Sequence, residues 1–233
     1  MSMLILAVLV LAACGSADDP SEETAKGRVV ISQAFDQPGL WEEDTAQTES
    51  GAEYQFVATL STENGRYVID HQSTDGNSFS WGVGARTVPA DVIIEVETEQ
   101  LSADEDNLYG IMCRVTPNSS GELGGYAFLI SGDGHFGIAT VRKGSFDQRP
   151  LMAFVLEWRQ SEAINEGQAQ NTIRAVCVDD YLAIYANNEF LGEVRDDTFA
   201  DGGQVGLLAG AEDGNAIALA FDNLVVFEGT LDD

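Results

Sequence analysis

Basic residues are scarce in this sequence. Lysine occurs twice, at Lys26 and Lys143, and all bases together number 11 against 39 acids in 233 residues, for a formal net charge of -28. A surface of that sign repels phosphate backbones, which argues against nucleic acid as a partner. It also avoids anionic lipid surfaces, except through a covalent anchor, and it attracts divalent cations and cationic partners. Its plainest role is solubility. Histidine is limited to His71 and His135. No serine elbow or Cys–His pairing surrounds either one, so each reads as a surface or turn residue rather than a base. Long apolar stretches are missing too. Leu4–Ala13 is a run of ten residues, too short to span a bilayer as a helix but suited to a signal-peptide core.

That run ends in Leu11-Ala12-Ala13-Cys14-Gly15. The pattern resembles the lipobox of bacterial lipoproteins, where small residues fit the signal peptidase and the cysteine thiol receives the lipid. One departure is that neither Lys nor Arg precedes the apolar run. The resemblance implies a signal peptide over 1–13, a lipidated Cys14, and an extracytoplasmic, membrane-anchored protein. Residues 14–30 then form an acidic tether without apolar periodicity. A sandwich domain is expected over 31–229, followed by an acidic tail over 230–233.

Export removes the rest of the chain from cytosolic reductant. The other two cysteines are Cys113, in YGIMCRV, and Cys177, in TIRAVCV. Alternation places Cys113 with Tyr109, Ile111 and Val115, and Cys177 with Ile173 and Ala175, both toward the core. Two readings stay open: a disulfide between neighbouring strands, or two reduced core thiols. No third ligand lies near enough in sequence to suggest zinc.

Beyond residue 30 the chain carries no long 3.6-residue periodicity. Short alternating or wholly apolar runs recur instead, among them EYQFVATL, DVIIEVETEQL, NLYGIMCRV, YLAIYA and NLVVF. Asn64-Gly65, Gly132-Asp133-Gly134 and Asn187-Asn188 supply turn chemistry between them. About a dozen evenly spaced strands read as an all-β sandwich or barrel. Residues 144–170 look irregular: LMAFVLEWRQSEAI reads as a strand plus a short helical turn, within what is expected to be the longest loop.

Within the C-terminal third, an Asn-bearing hairpin is followed by Gly202-Gly203, Val205-Gly206-Leu207 and Phe221-Asp222-Asn223. This order resembles the concanavalin A-like lectin/glucanase superfamily, closest to its laminin-G-like and 3-keto-disaccharide-hydrolase-like branches. The hairpin departs mildly, reading Asn-Asn where those relatives read Asn-Gly. The resemblance spans roughly 31–229 and implies a two-sheet antiparallel jelly roll. Function does not follow from the fold alone, because it hosts lectins, hydrolases, lyases and adhesion modules.

Several groups of residues then become candidates. Glu95, Glu97 and Glu99 alternate on one strand, as carboxylates do in glycosidases of this fold. The family motif has Asp at the middle position and a neighbouring Trp, both absent here, so a solvated acidic face is the preferred reading. Trp41, Trp81, Trp158, Tyr109 and Tyr126 could stack on sugar rings or fill a core. Phe79 and Trp81 share a face that reads as core, whereas Trp158 is expected on the long loop. Arg114 and Arg174 are expected to point outward, either to bind a ligand bidentately or to pair with neighbouring acids. Asp104-Glu105-Asp106-Asn107 is rich in oxygen, and the resemblance implies a structural calcium held by Asp222 and Asp36 if the terminal strands pair. The resulting expectation is a monomeric, lipid-anchored module that recognises a glycan or cell-surface polymer. A glycoside-directed hydrolase and a structural surface domain are the alternatives.

Overall fold

The computed structural model describes residues 20–48, 55–142 and 151–232. Every regular element in them is a strand: β1 (Thr24–Gln33), β2 (Asp44–Gln47), β3 (Gln55–Glu63), β4 (Arg66–Asp75), β5 (Ser78–Thr87), β6 (Val92–Gln100), β7 (Asn107–Pro117), β8 (Leu123–Ile130), β9 (His135–Arg142), β10 (Leu151–Gln160), β11 (Gln170–Val178), β12 (Tyr181–Ala186), β13 (Glu189–Arg195), β14 (Gln204–Ala211) and β15 (Ala216–Leu231). They form two antiparallel sheets. One runs β13-β12-β11-β6-β15-β4-β3-β2, with β1 added beside β15 to make nine strands; the other has six, in the order β10-β9-β8-β7-β14-β5.

Alternation decides what lies between the sheets. On β6, Ile94 and Val96 enter the core, while Glu97 is exposed. From the smaller sheet, Tyr109, Ile111, Tyr126, Phe128 and Leu207 meet them, all fully buried. Removing such large apolar side chains from water stabilises the fold by about 1.5–3 kcal/mol each. Cys113 on β7 and Cys177 on β11 form a disulfide with Cα atoms 6.9 Å apart. It ties the facing sheets together rather than neighbouring strands within one sheet.

The turns follow from residue chemistry. Asn187 and Asn188 adopt φ of 53° and 71°, the left-handed pair a two-residue hairpin needs and asparagine tolerates. AIALAF and NLVVF belong to one strand, β15, whose register shifts between Asp222 and Val225 on the β6 side. Asn223 sits in that irregularity at φ 50°.

Three boundaries differ from expectation. Residues 24–30, assigned to the tether, belong to β1, and Thr230 and Leu231 belong to β15. Thr24 pairs with Leu231 and Gln33 with Leu224. RVVISQAF reads as a strand from residue 28, but Thr24–Gly27 at its start are mostly polar or small and leave no apolar pattern to read. Third, the strand read within 144–170 is ten residues long, Leu151–Gln160, paired with β9, and no helix follows it, so less of the span is loop than expected. The expected signal peptide, Cys14 and residues 15–19 of the tether lie outside the described residues.

Candidate functional site

The outward face of the nine-stranded sheet carries the polar candidates. Register sets Thr172 on β11 opposite Glu97 on β6, and Glu97 opposite Asp222 on β15. One rung along, Gln170 opposes Glu99, which opposes Ala220. Arg66, at the start of β4, reaches across to Glu99 with Nη1 2.6 Å from Oε2. Together with Asn187 from the hairpin, these residues line an open cleft of about 260 Å³.

Glu95, Glu97 and Glu99 thus share one face, as alternation requires, but their surroundings differ. Lys26 Nζ lies 2.6 Å and Arg174 Nε 2.7 Å from Glu95 Oε1. Burial works against the charged form there, but hydrogen bonds and charge from these two cations outweigh it and hold the carboxyl below the usual range. Glu95 is therefore a fixed anion, unsuited to donating a proton. Glu97 has no cation beside it among the described residues; it accepts a hydrogen bond from Asn223 Nδ2 at 2.9 Å. The bulge at Asn223 aims that amide back across β6, as bulges beside binding sites often re-aim a side chain. Asp222 Oδ1 accepts the backbone N–H of Asn223 at 2.7 Å, which leaves its second oxygen available. Asn187 is largely occupied, since its amide donates to Ala163 O and Asn171 Oδ1 while its oxygen accepts from Thr172 N.

The other candidates disperse. Arg174 faces outward as expected, over the Tyr185 ring at 5.0 Å and bonded to Glu95 and Asn188. Arg114 does not. It is 1% exposed and donates to Ala90 O, Phe199 O and Asp91 Oδ1. The cause is an irregularity in β7 against β8 between Cys113 and Thr116, with Arg114 at φ 53°. The same irregularity sends Val115 to the opposite face from Cys113, into the cluster with Met112 and Leu129. Tyr126 is fully buried; its hydroxyl donates to Asp196 and accepts from Phe199 N. Burial, reinforced by that bond to Asp196, pushes the phenol up to about 12. Neither residue can present a free surface to a ligand.

Trp158 lies on strand β10 rather than on a loop. It is half-buried on the outward face of the smaller sheet, stacked on His135 with ring centres 6.1 Å apart and tilted against Phe154. Trp81 and Phe79 occupy the same face at its other edge, stacked at 5.7 Å. They share a face, as expected, but it is this outward one and not the core between the sheets. Tyr109 and Trp41 are buried. Asp36 lies just past β1 near the Asn64-Gly65 turn. The terminal strands do pair, yet no group of three or more His, Cys, Asp or Glu able to hold a metal forms among the described residues.

Sequence reasoning missed two features. Arg66, Gln170 and Thr172 were not singled out, because only pairing between distant strands brings them to the glutamates. His71 is fully buried, not a surface residue: Nδ1 is 3.0 Å from Ser80 Oγ and Nε2 2.9 Å from Ser78 Oγ. Burial pushes the imidazole down to about 4. Its signal was present in the alternation Tyr67, Ile69, His71, Ser73, which lines one face of β4.

No family model matches the chain, and no curated protein does. Solved structures match over nearly the whole chain. A protein of unknown function with a galectin-like fold from Bacillus subtilis superposes with a TM-score of 0.62 at 8% identity, over 89% of this chain and 99% of that one. The carbohydrate binding module CBM66 from the same organism gives 0.51 at 12%, over 81% and 95%. An endo-β-1,3-glucanase from Pyrococcus furiosus gives 0.58 at 11%, over 90% and 99%. At such identities the likeness concerns architecture alone: the chain has the two-sheet antiparallel jelly-roll sandwich of the galectin-like and concanavalin A-like proteins.

Proposed function

We propose that the protein is a glycan-binding module whose site is the polar cleft across β11, β6, β15 and β4. The observation that carries this reading is the row Thr172–Glu97–Asp222, with Gln170, Glu99 and Arg66 beside it, opening to solvent from paired strands. Sugar hydroxyls both donate and accept. A carboxylate, an amide, a hydroxyl and a guanidinium on one face supply both roles at fixed spacing. Placing them on paired strands limits the ordering cost at binding. The architecture shared with a carbohydrate binding module and with glucanases supports the same class of ligand. The lipobox-like segment ending in Cys14 fits presentation of this module from a membrane surface, which incorporation of labelled palmitate, lost in Cys14→Ser, would test.

A glycan array followed by calorimetric titration is the test. Binding of at least one oligosaccharide class is expected, weakened at least fivefold by Gln170→Ala or Thr172→Ala at unchanged melting temperature. No binding to any glycan would end this reading. Release of shortened products during titration, lost in Glu97→Gln or Glu99→Gln, would replace it with hydrolysis.

A further inference from the structure

The cleft contains an electrostatic arrangement that packing does not explain. Glu97 and Asp222 stand directly opposite each other on β6 and β15, positions whose Cβ atoms lie about 4.5–5.5 Å apart and where like charges destabilise the pair. Each neighbouring glutamate on β6 is neutralised, Glu95 by Lys26 and Arg174 and Glu99 by Arg66. Among the described residues, no Lys, Arg or His forms an ion pair with Glu97 or Asp222. The sheet thus places cations at both ends of the acidic row and leaves the middle rung, at the cleft, unbalanced.

A bare metal ion is a poor match for this rung. Among the described residues the two carboxylates are not joined by a third metal-binding side chain, whereas calcium takes six to eight oxygen ligands. The cleft, at about 260 Å³, also has room for a sugar-sized group. An ammonium needs less: it has three donors on a compact charge, so two carboxylate oxygens and one neutral acceptor satisfy it. Thr172, next to Glu97 on β11, offers that neutral oxygen.

We propose that the cleft selects glycans bearing a free amino group, with the ammonium seated between Glu97 and Asp222. This rests on the glycan-binding reading and narrows it to amino sugars that are not acetylated; uronates and sulfated sugars are disfavoured by the same charges. Screening weakens such selectivity as salt rises.

The test titrates the full chain with the tetramer of glucosamine, the tetramer of N-acetylglucosamine and a galacturonate tetramer, at low and physiological salt. Two charge-removing variants accompany the wild type: Glu97→Gln, and Glu157→Gln on the exposed side of β10 in the other sheet. The expected result is that the glucosamine tetramer binds about tenfold more tightly than its acetylated form at low salt. That preference should collapse in Glu97→Gln and survive in Glu157→Gln, with the galacturonate weakest throughout. Equal affinity for the two glucosamine-based tetramers would overturn the proposal and leave glycan binding standing. So would a preference that survives Glu97→Gln, or one that both variants lose equally, which would mark diffuse attraction to a polyanion. Should no tetramer bind while the array finds another glycan, the amino-sugar selectivity fails alone; should the array find none, the reading beneath it fails as well.

Discussion

His71 should make this protein lose stability in mildly acidic solution. The imidazole is fully buried between the sheets, held by Ser78 and Ser80, and stacked on Phe56 with ring centres 5.2 Å apart. Burial disfavours the charged form and lowers the ring from the ordinary 6.5 to about 4. The unfolded chain therefore binds the proton first as pH falls, so stability present above pH 6.5 declines through the window from about 6.5 to about 4. Linkage between those two values gives a loss of about 1 kcal/mol by pH 5.5 and about 2 kcal/mol by pH 5, approaching about 3 kcal/mol near pH 4. The assay is urea unfolding at fixed ionic strength from pH 7.5 to 5, comparing wild type with His71→Gln. The variant keeps an amide for Ser78 but has nothing to titrate. It should be less stable at pH 7.5, yet its stability should fall less steeply. Contributions from the acids, including Glu95 with its depressed pKa, and from changing net repulsion are common to both proteins and cancel. Equal slopes between pH 7.5 and 5.5 would refute the reasoning.

Two further predictions concern the frame around the cleft. Replacing Cys113 and Cys177 by alanine opens a loop of sequence separation 64; loop entropy puts the cost at about 4 kcal/mol, read from the urea midpoint, and glycan affinity should survive wherever the protein remains folded. Arg114→Met should cost about 3–5 kcal/mol in the same assay, because Ala90 O and Phe199 O lose their donors inside the structure; an exposed, ligand-binding arginine would cost less than 1 kcal/mol.

Much of this architecture was legible because strand alternation is a local property. Ile94 and Val96 against Glu95 and Glu97 required only that β6 be half-buried, and the left-handed pair Asn187-Asn188 required only asparagine's tolerance of positive φ. What failed depended on pairing. DTAQ, in β2, is short and polar, and the start of β1, Thr24-Ala25-Lys26-Gly27, carries no apolar run, unlike RVVISQ after it. Arg114 was placed outward by counting residues, and a single irregularity in β7 undid the count. The cleft was half legible: the three glutamates lay in one visible row, but Asp222 joined them only through the register of β15, and Arg66 only through that of β4. His71 is a different case, since its alternation with Tyr67 and Ile69 was visible and histidine's usual exposure outweighed it.

The pairing of β1 with β15 has a consequence for the order of events in folding. β4 occupies the first half of that flank of β15 and β1 the second half. Among the described residues, the first strand of the sandwich therefore waits for the last one. Closing that contact is among the longest-range steps the topology requires, and such steps come late and slowly. Until then, Val225 to Leu231 present an open strand edge beside an unplaced β1. During vectorial synthesis the cleft's central strand, β6, cannot gain its β15 neighbour before residues 216–231 emerge. The cleft should consequently form only once β15 has been made and paired, with no binding-competent intermediate before it.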